Sequence, residues 1–144
     1  MSAENAVNVL VADKFDAGCI AGLERLGCNV HVDPDLGPDT LANAIKATDA
    51  QVLCVRSTKV PADVINGVDS LKLIIRGGAG YDNIDTGAAG AKGIPVCNTP
   101  DYGTSEVADH AIAMMLKDLK LALGAAETAG ANVDFGKLAE ETYA

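Results

Sequence analysis

The stretch from Leu71 to Asp85 reads LKLIIRGGAGYDNID and decides the fold. Its apolar run, Leu71–Ile75, has the length and composition of a buried strand. A glycine-rich turn over Arg76–Gly80 follows directly, and a helical pattern then covers Asp85–Ala91. A strand that passes through a tight turn into a helix is one βα unit, the building block of parallel sheets.

The same alternation of strands and helices continues on both sides of this stretch. Pro38 and Pro61 lie at or just before helix starts, where a missing N–H costs little. Gly27 and Gly93 lie where helices should end, which favours a left-handed cap. The predicted strands are Val7–Ala12, Asn29–Val32, Val52–Val55, Leu71–Ile75 and Ile94–Cys97, and the predicted helices between them are Ala17–Leu26, Thr40–Thr48, Ala62–Val68 and Asp85–Ala91.

Consecutive βα units require a parallel sheet with right-handed crossovers. We therefore predict an α/β, flavodoxin-like, three-layer domain over residues 1–103, with a five-stranded parallel sheet in the order 2-1-3-4-5. Ligands of such sheets bind at the carboxyl ends of the strands. Residues 104–144 are predicted to form a C-terminal helical extension that packs on this domain or on a partner chain, and Thr104 or Ser105 is the expected cap of its long first helix.

Composition excludes several classes of protein. The 144 residues are 49% hydrophobic and 22% charged, which is typical of a single globular domain. Aromatic residues make up only 3%, so the core must be aliphatic, as in parallel sheets covered by helices. The net charge of −9 argues against nucleic-acid partners, and no apolar run is long enough to predict a membrane span.

The four cysteines are scattered without CxxC spacing, so neither a metal site nor a disulfide framework is predicted. Cys54 and Cys97 fall in strand-like runs, where we expect them to be small buried hydrophobic side chains. This pattern favours a reducing, cytoplasmic location. His31 and His110 are interpreted as packing or surface groups rather than catalytic ones.

Two loops that follow neighbouring strands carry candidate binding groups. The glycines in the turn after Leu71–Ile75 let consecutive N–H groups point at an anion, although a tight turn without a ligand explains them equally well. Arg56 and Ser57 follow the preceding strand, so a guanidinium and a hydroxyl would lie at the same sheet edge. The GGAG run lacks GxGxxG spacing, and dinucleotide binding by this loop is therefore not predicted.

Four segments resemble the substrate-binding domain of the D-2-hydroxyacid dehydrogenases, closest to D-3-phosphoglycerate dehydrogenases and C-terminal-binding-protein-like relatives. The segments are VRSTKV (Val55–Val60), RGGAGYDNID (Arg76–Asp85), GIPVCNTPDYGT (Gly93–Thr104) and SEVADHAIAMML (Ser105–Leu116). The resemblance implies that Gly77 and Gly78 hold the carboxylate of a small 2-hydroxy or 2-keto acid, with Ala79 in the same substrate-binding loop. It also implies that Arg56, with Ser57 beside it, contacts the substrate phosphate, although a salt bridge from Arg56 to a neighbouring loop is the alternative.

The family uses NAD, and the resemblance implies that its nucleotide-binding domain follows the helix that Ser105 opens. The catalytic Arg, carboxylate and His of the family are carried by that domain. We therefore expect this chain to lack them, to bind no cofactor alone and to be inactive alone. The alternative is a non-catalytic flavodoxin-like module whose only activity is folding and dimerisation. A response-regulator or flavin domain is a weaker reading, with Asp13 its only hint.

The segment from Lys117 onward, beginning KDLKLALGAAETAG, resembles instead the C-terminal helices of 3-hydroxyisobutyrate-type dehydrogenases, which raises the possibility of a chimera. Apolar residues wrap more than one face of the Ser105–Gly130 helix, so one sheet cannot bury them all. We therefore predict a homodimer through residues 105–130. The alternative is a helix that breaks near Gly124 and folds back over its own sheet.

Overall fold

A five-stranded parallel sheet forms the first part of the chain, and its order, β2-β1-β3-β4-β5, confirms the predicted flavodoxin-like fold. The computed structural model describes residues 6–143; residues 1–5 and 144 are not described. The strands are β1 (Asn8–Val11), β2 (Asn29–Val32), β3 (Val52–Val55), β4 (Leu73–Arg76) and β5 (Val96–Cys97), and the helices are α1 (Ala17–Arg25), α2 (Pro38–Thr48), α3 (Ala62–Asn66), α4 (Thr86–Ala91), α5 (Thr104–Ala129) and α6 (Asp134–Tyr143).

The three central strands are buried on both faces because their side chains alternate across the sheet. Leu10 is in register with Leu53, and Leu53 with Ile74, and these three side chains belong to the larger core cluster. The residues between them face the opposite way, where Val11 and Cys54 form a second cluster. The near-continuous apolar sequence of these strands follows from helices covering both faces.

Two strands, β4 and β5, begin two residues later than predicted. Leu71 is buried, but sheet pairing begins only where the N–H groups of Lys72 and Leu73 donate to the carbonyl of Gln51. The N–H of Ile94 donates to the carbonyl of Ala89 and so closes the end of α4 instead of joining β5. The prediction placed Leu71 and Ile94 in strands because they are apolar. Both are buried, but they lie in the connections that precede β4 and β5.

Helix ends follow the predicted chemistry in part. Gly27 and Gly93 have φ values of 85° and 68°, the predicted left-handed conformation. Asp85 caps α4 by accepting a hydrogen bond from the N–H of Ala88 at 2.8 Å. The prediction that Thr104 or Ser105 caps α5 is wrong, because the capping residue is Gly103, with a φ of 69°.

Cys54 is buried as predicted, and Cys97 is not. Burial raises the pKa of Cys54 to about 11, with nearby Cys28 adding to the effect, so this thiol stays protonated and packs as a hydrophobic side chain. Cys97 is exposed because β5 is a two-residue strand at the edge of the sheet. All four cysteines are free thiols.

The chain divides into two compact units, one ending at Tyr102 and one beginning at Gly103. The second unit consists of α5 and α6. Helix α5 runs for 26 residues without a break, so the alternative of a break near Gly124 is wrong. Gly136 of α6 lets the two helices approach closely, because a Cβ at this position would lie 3.3 Å from a methyl carbon of Leu123. No helix in the described part of the chain is both long and apolar enough to cross a bilayer.

Candidate anion-binding site at the carboxyl edge of the sheet

The carboxyl ends of β3 and β4 open onto a cavity of about 600 Å³. Both strands end at the same level, since Val55 is in register with Arg76. The polar and charged groups that line the cavity come from the loops after these strands and include Arg56, Ser57, Lys59, Arg76, Asp82 and Asn83. Three of these side chains are cationic, which suits an anionic ligand despite the negative charge of the whole chain.

The loop after β3 is held by Asp13, which follows β1. One carboxylate oxygen, Oδ2, accepts hydrogen bonds from the N–H groups of Arg56 at 2.7 Å, Ser57 at 3.0 Å and Thr58 at 3.0 Å. The hydroxyl of Ser57 donates to the other oxygen, Oδ1, at 2.9 Å. The conformation that carries Arg56 into the cavity wall is thus fixed from the neighbouring strand. Asp13 therefore has a structural role in this chain, which accounts for its position without the phospho-acceptor function of a response regulator.

The pKa of Asp13 reflects this set of hydrogen bonds. Partial burial would raise the pKa, but the hydrogen bonds from Arg56, Thr58 and Ser57 outweigh burial and hold the pKa of Asp13 below its ordinary value of 3.8. The carboxylate is therefore ionised at neutral pH and is fully engaged within the protein.

The glycine loop after β4 uses its first N–H groups internally. The N–H of Gly77 donates to the carbonyl of Val55 at 2.8 Å, and that of Gly78 donates to the carbonyl of Arg76 at 2.9 Å. Among residues 6–143, no protein acceptor lies opposite the N–H groups of Ala79 and Gly80, and both residues are exposed. The N–H groups that remain available to a ligand are therefore those of Ala79 and Gly80, and not those of Gly77 and Gly78.

Two residues that follow β5 and one residue that follows β1 fix the shape of this glycine loop. The side-chain amide of Asn98 donates to the carbonyl of Ala79 at 2.7 Å, and the N–H of Thr99 donates to the carbonyl of Gly78 at 3.1 Å. A Cβ on Gly77 would lie 2.7 Å from the ring of Phe15, so only glycine allows that aromatic ring to rest on the loop.

Two buried polar atoms at the cavity have no partner within the described residues: Nε of Arg76 and Oδ1 of Asn83. The amide nitrogen of Asn83 donates to the carbonyl of Thr58 at 2.7 Å, which sets the orientation of its side chain. Native proteins rarely leave buried donors and acceptors unsatisfied. A ligand that carries both a hydrogen-bond acceptor and a hydrogen-bond donor would satisfy these two atoms.

The structure brings only some of the predicted site residues together. Arg56 and Ser57 line the cavity, whereas Gly77, Gly78 and Ala79 follow β4 at the same sheet edge without lining it. The sequence analysis identifies Arg76 only as the first residue of the glycine turn, and not as a binding residue. Its position as the last residue of a strand, beside the strand that leads to Arg56, is the signal that could have identified it. Asn83 lines the cavity as well, although the sequence analysis did not choose it as a binding residue.

The geometry at the first βα turn does not suit a dinucleotide. Parallel sheets hold a pyrophosphate at the N-terminus of the helix after the first strand. Here that terminus is capped by the carboxylate of Asp16, which accepts from the N–H of Gly18 at 2.8 Å. Asp13 lies at the end of the same strand, so two carboxylates would repel the phosphates. Within residues 6–143, no cluster of three or more His, Cys, Asp or Glu side chains could hold a metal ion.

The fold and this cavity define an α/β domain with a candidate anion-binding site, and sequence comparison gives its family. Residues 9–142 match the family described as D-isomer specific 2-hydroxyacid dehydrogenase, catalytic domain, and the chain belongs to this family. The match extends beyond Lys117 to residue 142, and none of these comparisons supports a second family there. The chimera interpretation remains an untested prediction.

Individual relatives agree with this family. The D-3-phosphoglycerate dehydrogenase of Methanocaldococcus jannaschii is 45% identical over 111 residues, which are 76% of this chain and 21% of that protein. The human D-3-phosphoglycerate dehydrogenase is 37% identical over 117 residues, covering 81% of this chain and 22% of that protein. The chain thus spans about a fifth of the length of these curated relatives.

Solved structures resemble the chain in the same way. The NAD+-bound 3-phosphoglycerate dehydrogenase of Entamoeba histolytica matches with a TM-score of 0.67 and 32% identity, over 77% of this chain and 38% of that one. A 2-hydroxyacid dehydrogenase from Ketogulonicigenium vulgare matches with a TM-score of 0.66 and 27% identity, over 85% of this chain and 38% of that one.

Proposed function

We propose that this chain is the substrate-binding domain of an NAD-dependent D-2-hydroxyacid dehydrogenase and that its cavity binds a small 2-hydroxy or 2-keto acid. The observation that carries the proposal is that Arg76 and Asn83, which each have a buried polar atom without a partner among the described residues, line the same cavity as Arg56. Guanidinium groups bind carboxylates and phosphates with paired donors, and an amide oxygen accepts from a substrate hydroxyl.

The substrate carboxylate is proposed to bind the N–H groups of Ala79 and Gly80, in the loop that follows β4 beside the cavity and outside its lining. This proposal revises the sequence prediction, in which Gly77 and Gly78 hold the carboxylate. The N–H groups of Gly77 and Gly78 already donate to carbonyls at 2.8 and 2.9 Å, and rebinding them to a ligand would cost those bonds. Two adjacent free N–H groups in an exposed turn form a concave donor pair that suits one carboxylate.

A second anionic group on the substrate would be held by Arg56 and Arg76. Two guanidinium groups and the ammonium of Lys59 line the same cavity. The pair of guanidinium groups, which bind phosphates with paired donors, supports an acid with a phosphate at its far end, such as the substrate after which the phosphoglycerate dehydrogenases are named. The carboxylates of Asp82 and Asp85 also line the cavity and would disfavour acids that place negative charge beside them.

The chain alone is proposed to bind substrate without oxidising it. Neither of its two histidines lines the cavity, and both are exposed. The carboxylates at the first βα turn disfavour a pyrophosphate, so NAD is proposed to be held elsewhere in the working enzyme. Within this chain the residues have the tasks of binding and orienting the acid: Ala79 and Gly80 at the carboxylate, Asn83 at a hydroxyl, and Arg56 and Arg76 at the far end.

Titration of the ¹⁵N-labelled chain with D-3-phosphoglycerate tests the proposal. We expect saturable shifts at the amides of Ala79 and Gly80, and a dissociation constant raised about tenfold or more in Arg76→Gln, the size expected for one lost charge-assisted contact. D-glycerate, which lacks the phosphate, should shift the same amides with weaker affinity. Arg25→Gln is the matched control, since Arg25 lies in the last turn of α1, away from the cavity.

Absence of saturable shifts up to high millimolar ligand would reject the binding proposal and leave the alternative of a non-catalytic flavodoxin-like module. Shifts that saturate at Gly77 and Gly78 but not at Ala79 and Gly80 would reject only the revised carboxylate assignment. Formation of NADH by the purified chain with a panel of 2-hydroxy acids would contradict the proposed lack of catalysis.

We propose in addition that two copies associate through residues 105–130. Helix α5 exposes large apolar side chains, including Val107 at 71% and Leu121 at 66% of their surface. Patches of this kind usually find a partner, and a two-fold pair is the commonest arrangement. Sedimentation equilibrium should give a dimer at micromolar concentration. Leu121→Asp should give a monomer, and Lys120→Asp, at the neighbouring exposed position, should leave the dimer intact.

A reducing, cytoplasmic location is proposed from the four free thiols, which a secreted domain of this size would more often use in disulfides. Thiol labelling in intact cells before and after lysis tests it, since protected or paired cysteines would argue for another compartment.

A further inference from the structure

Asp13 fills an anion site that the protein makes with its own backbone. Three consecutive N–H groups, those of Arg56, Ser57 and Thr58, converge on its Oδ2 at 2.7, 3.0 and 3.0 Å. Converging N–H groups of successive residues form a concave nest that binds phosphates and carboxylates from solution. Here the anion is internal and comes from the end of β1, across the strand pair β1–β3.

The other hydrogen bonds of the loop are made by side chains or lie at Thr58, whose carbonyl accepts from the side-chain amide of Asn83 at 2.7 Å. The hydroxyl of Ser57 donates to Oδ1 of Asp13, and the hydroxyl of Thr58 donates to the carbonyl of Ala12 at 2.9 Å. The backbone N–H groups of Arg56 and Ser57 therefore both donate to this one carboxylate. Without it, three N–H donors would lose their acceptor, and the loop would rearrange to reach water.

We propose that Asp13 is the positioning residue of the anion-binding cavity: it holds the 56–58 loop in the one conformation that presents Arg56 to the ligand. The inference rests on the proposed function for the role of Arg56, and on geometry alone for the nest. The negative charge of Asp13 would by itself weaken anion binding, so any gain in affinity from Asp13 must come from the conformation that it imposes on the loop.

The nest is tested first without any substrate-like ligand. In the full chain, we expect the amide protons of Arg56, Ser57 and Thr58 to lie downfield and to exchange slowly, as donors to a carboxylate do. Asp13→Ala should move all three upfield together and speed their exchange about tenfold or more, the effect of losing one charge-assisted bond each. Added formate, which replaces the missing carboxylate, should restore the shifts saturably.

Ligand binding is the second measurement. D-3-phosphoglycerate should bind Asp13→Ala about tenfold more weakly than the unmodified chain, although the variant has lost a repulsive charge. Asp13→Asn keeps one oxygen for the N–H groups and an amide that can donate to Ser57, so its affinity should stay within about threefold of the unmodified chain. Asp16→Asn is the control, because Asp16 caps α1 and touches neither loop.

The outcomes separate the two proposals. If the unmodified chain does not bind the probe but formate restores the three amide shifts, the proposed function fails and the nest stands. If the probe binds Asp13→Ala as tightly as, or more tightly than, the unmodified chain, the positioning role of Asp13 is overturned. Unchanged amide shifts in Asp13→Ala, or restoration by formate of amides throughout the chain rather than at 56–58, would overturn it as well.

Discussion

The two units of the chain contain similar apolar side chains and bury them very differently. In the unit that ends at Tyr102, leucines such as Leu10 and Leu53 are at most 1% exposed. In the unit that begins at Gly103, Leu123 is buried, whereas Leu121 on the same helix is 66% exposed. A sheet covered on both faces has two inner surfaces for apolar groups, and a pair of helices has only one seam. The first unit therefore encloses a continuous aliphatic core, and the second leaves much of its apolar surface exposed.

The largest test of this difference is the same truncation in each unit. Leu53→Ala should lower the free energy of unfolding by about 3 kcal/mol, because it opens a cavity among fully buried strands. Leu121→Ala, the matched control, should change it by less than about 0.5 kcal/mol, since the side chain is mostly in water. Urea titration followed by circular dichroism measures both. Equal losses would show that α5 is as tightly packed as the sheet.

Glycine substitutions should differ in sign between the units. Gly77→Ala would place its Cβ 2.7 Å from the Phe15 ring and should cost about 1–2 kcal/mol. Gly124→Ala meets nothing within 4 Å in the middle of α5. That change should stabilise the helix by about 0.5–1 kcal/mol, because alanine loses less backbone entropy than glycine. Thermal unfolding compares them. The double variant Gly77→Ala with Phe15→Leu should regain part of the loss, and no recovery would mean that the ring is not the cause.

The smallest expected effect is a pH dependence of the folding stability that arises from Asp13 in the first unit. The pKa of Asp13 is below 3.8 in the folded chain, so its contribution to stability is fully present above the ordinary Asp range. The contribution is lost as the pH falls through that lowered pKa, because the protonated carboxyl accepts the three N–H bonds poorly. Asp13→Asn should therefore flatten the decline of stability in acid.

Denaturant titrations at a series of pH values from neutral into this acidic range check the prediction. Asp69→Asn serves for comparison, because that exposed carboxylate only contacts Lys92 at 3.4 Å. A decline in Asp13→Asn as steep as in the unmodified chain would show that the hydrogen bonds to the 56–58 loop contribute nothing to folding.

Much of the first unit could be predicted from the sequence because its signals are local. The alternation of apolar runs and helical patterns predicted the strand order, and the glycines after α1 and α4 have the expected positive φ. Arg56 and Ser57 were correctly placed at the carboxyl edge, because they directly follow a strand. The limits of this reasoning lie at Ile94, whose N–H closes α4 instead of joining β5, and at Cys97, which is exposed at the edge of the sheet.

The candidate site shows most clearly which features follow from the sequence and which depend on the tertiary structure. That a glycine loop and an arginine share one sheet edge follows from the sequence, since parallel strands end together. Which N–H groups remain available does not follow, because Gly77 donates to Val55, a residue 22 positions away by number on another strand. The same holds for Asp13 and its bonds to Arg56, which span 43 residues. Patterns along the chain determined the elements and their order; only the tertiary structure, which brings remote donors and acceptors within 3 Å, decided how these loops are held and which of their groups face a ligand.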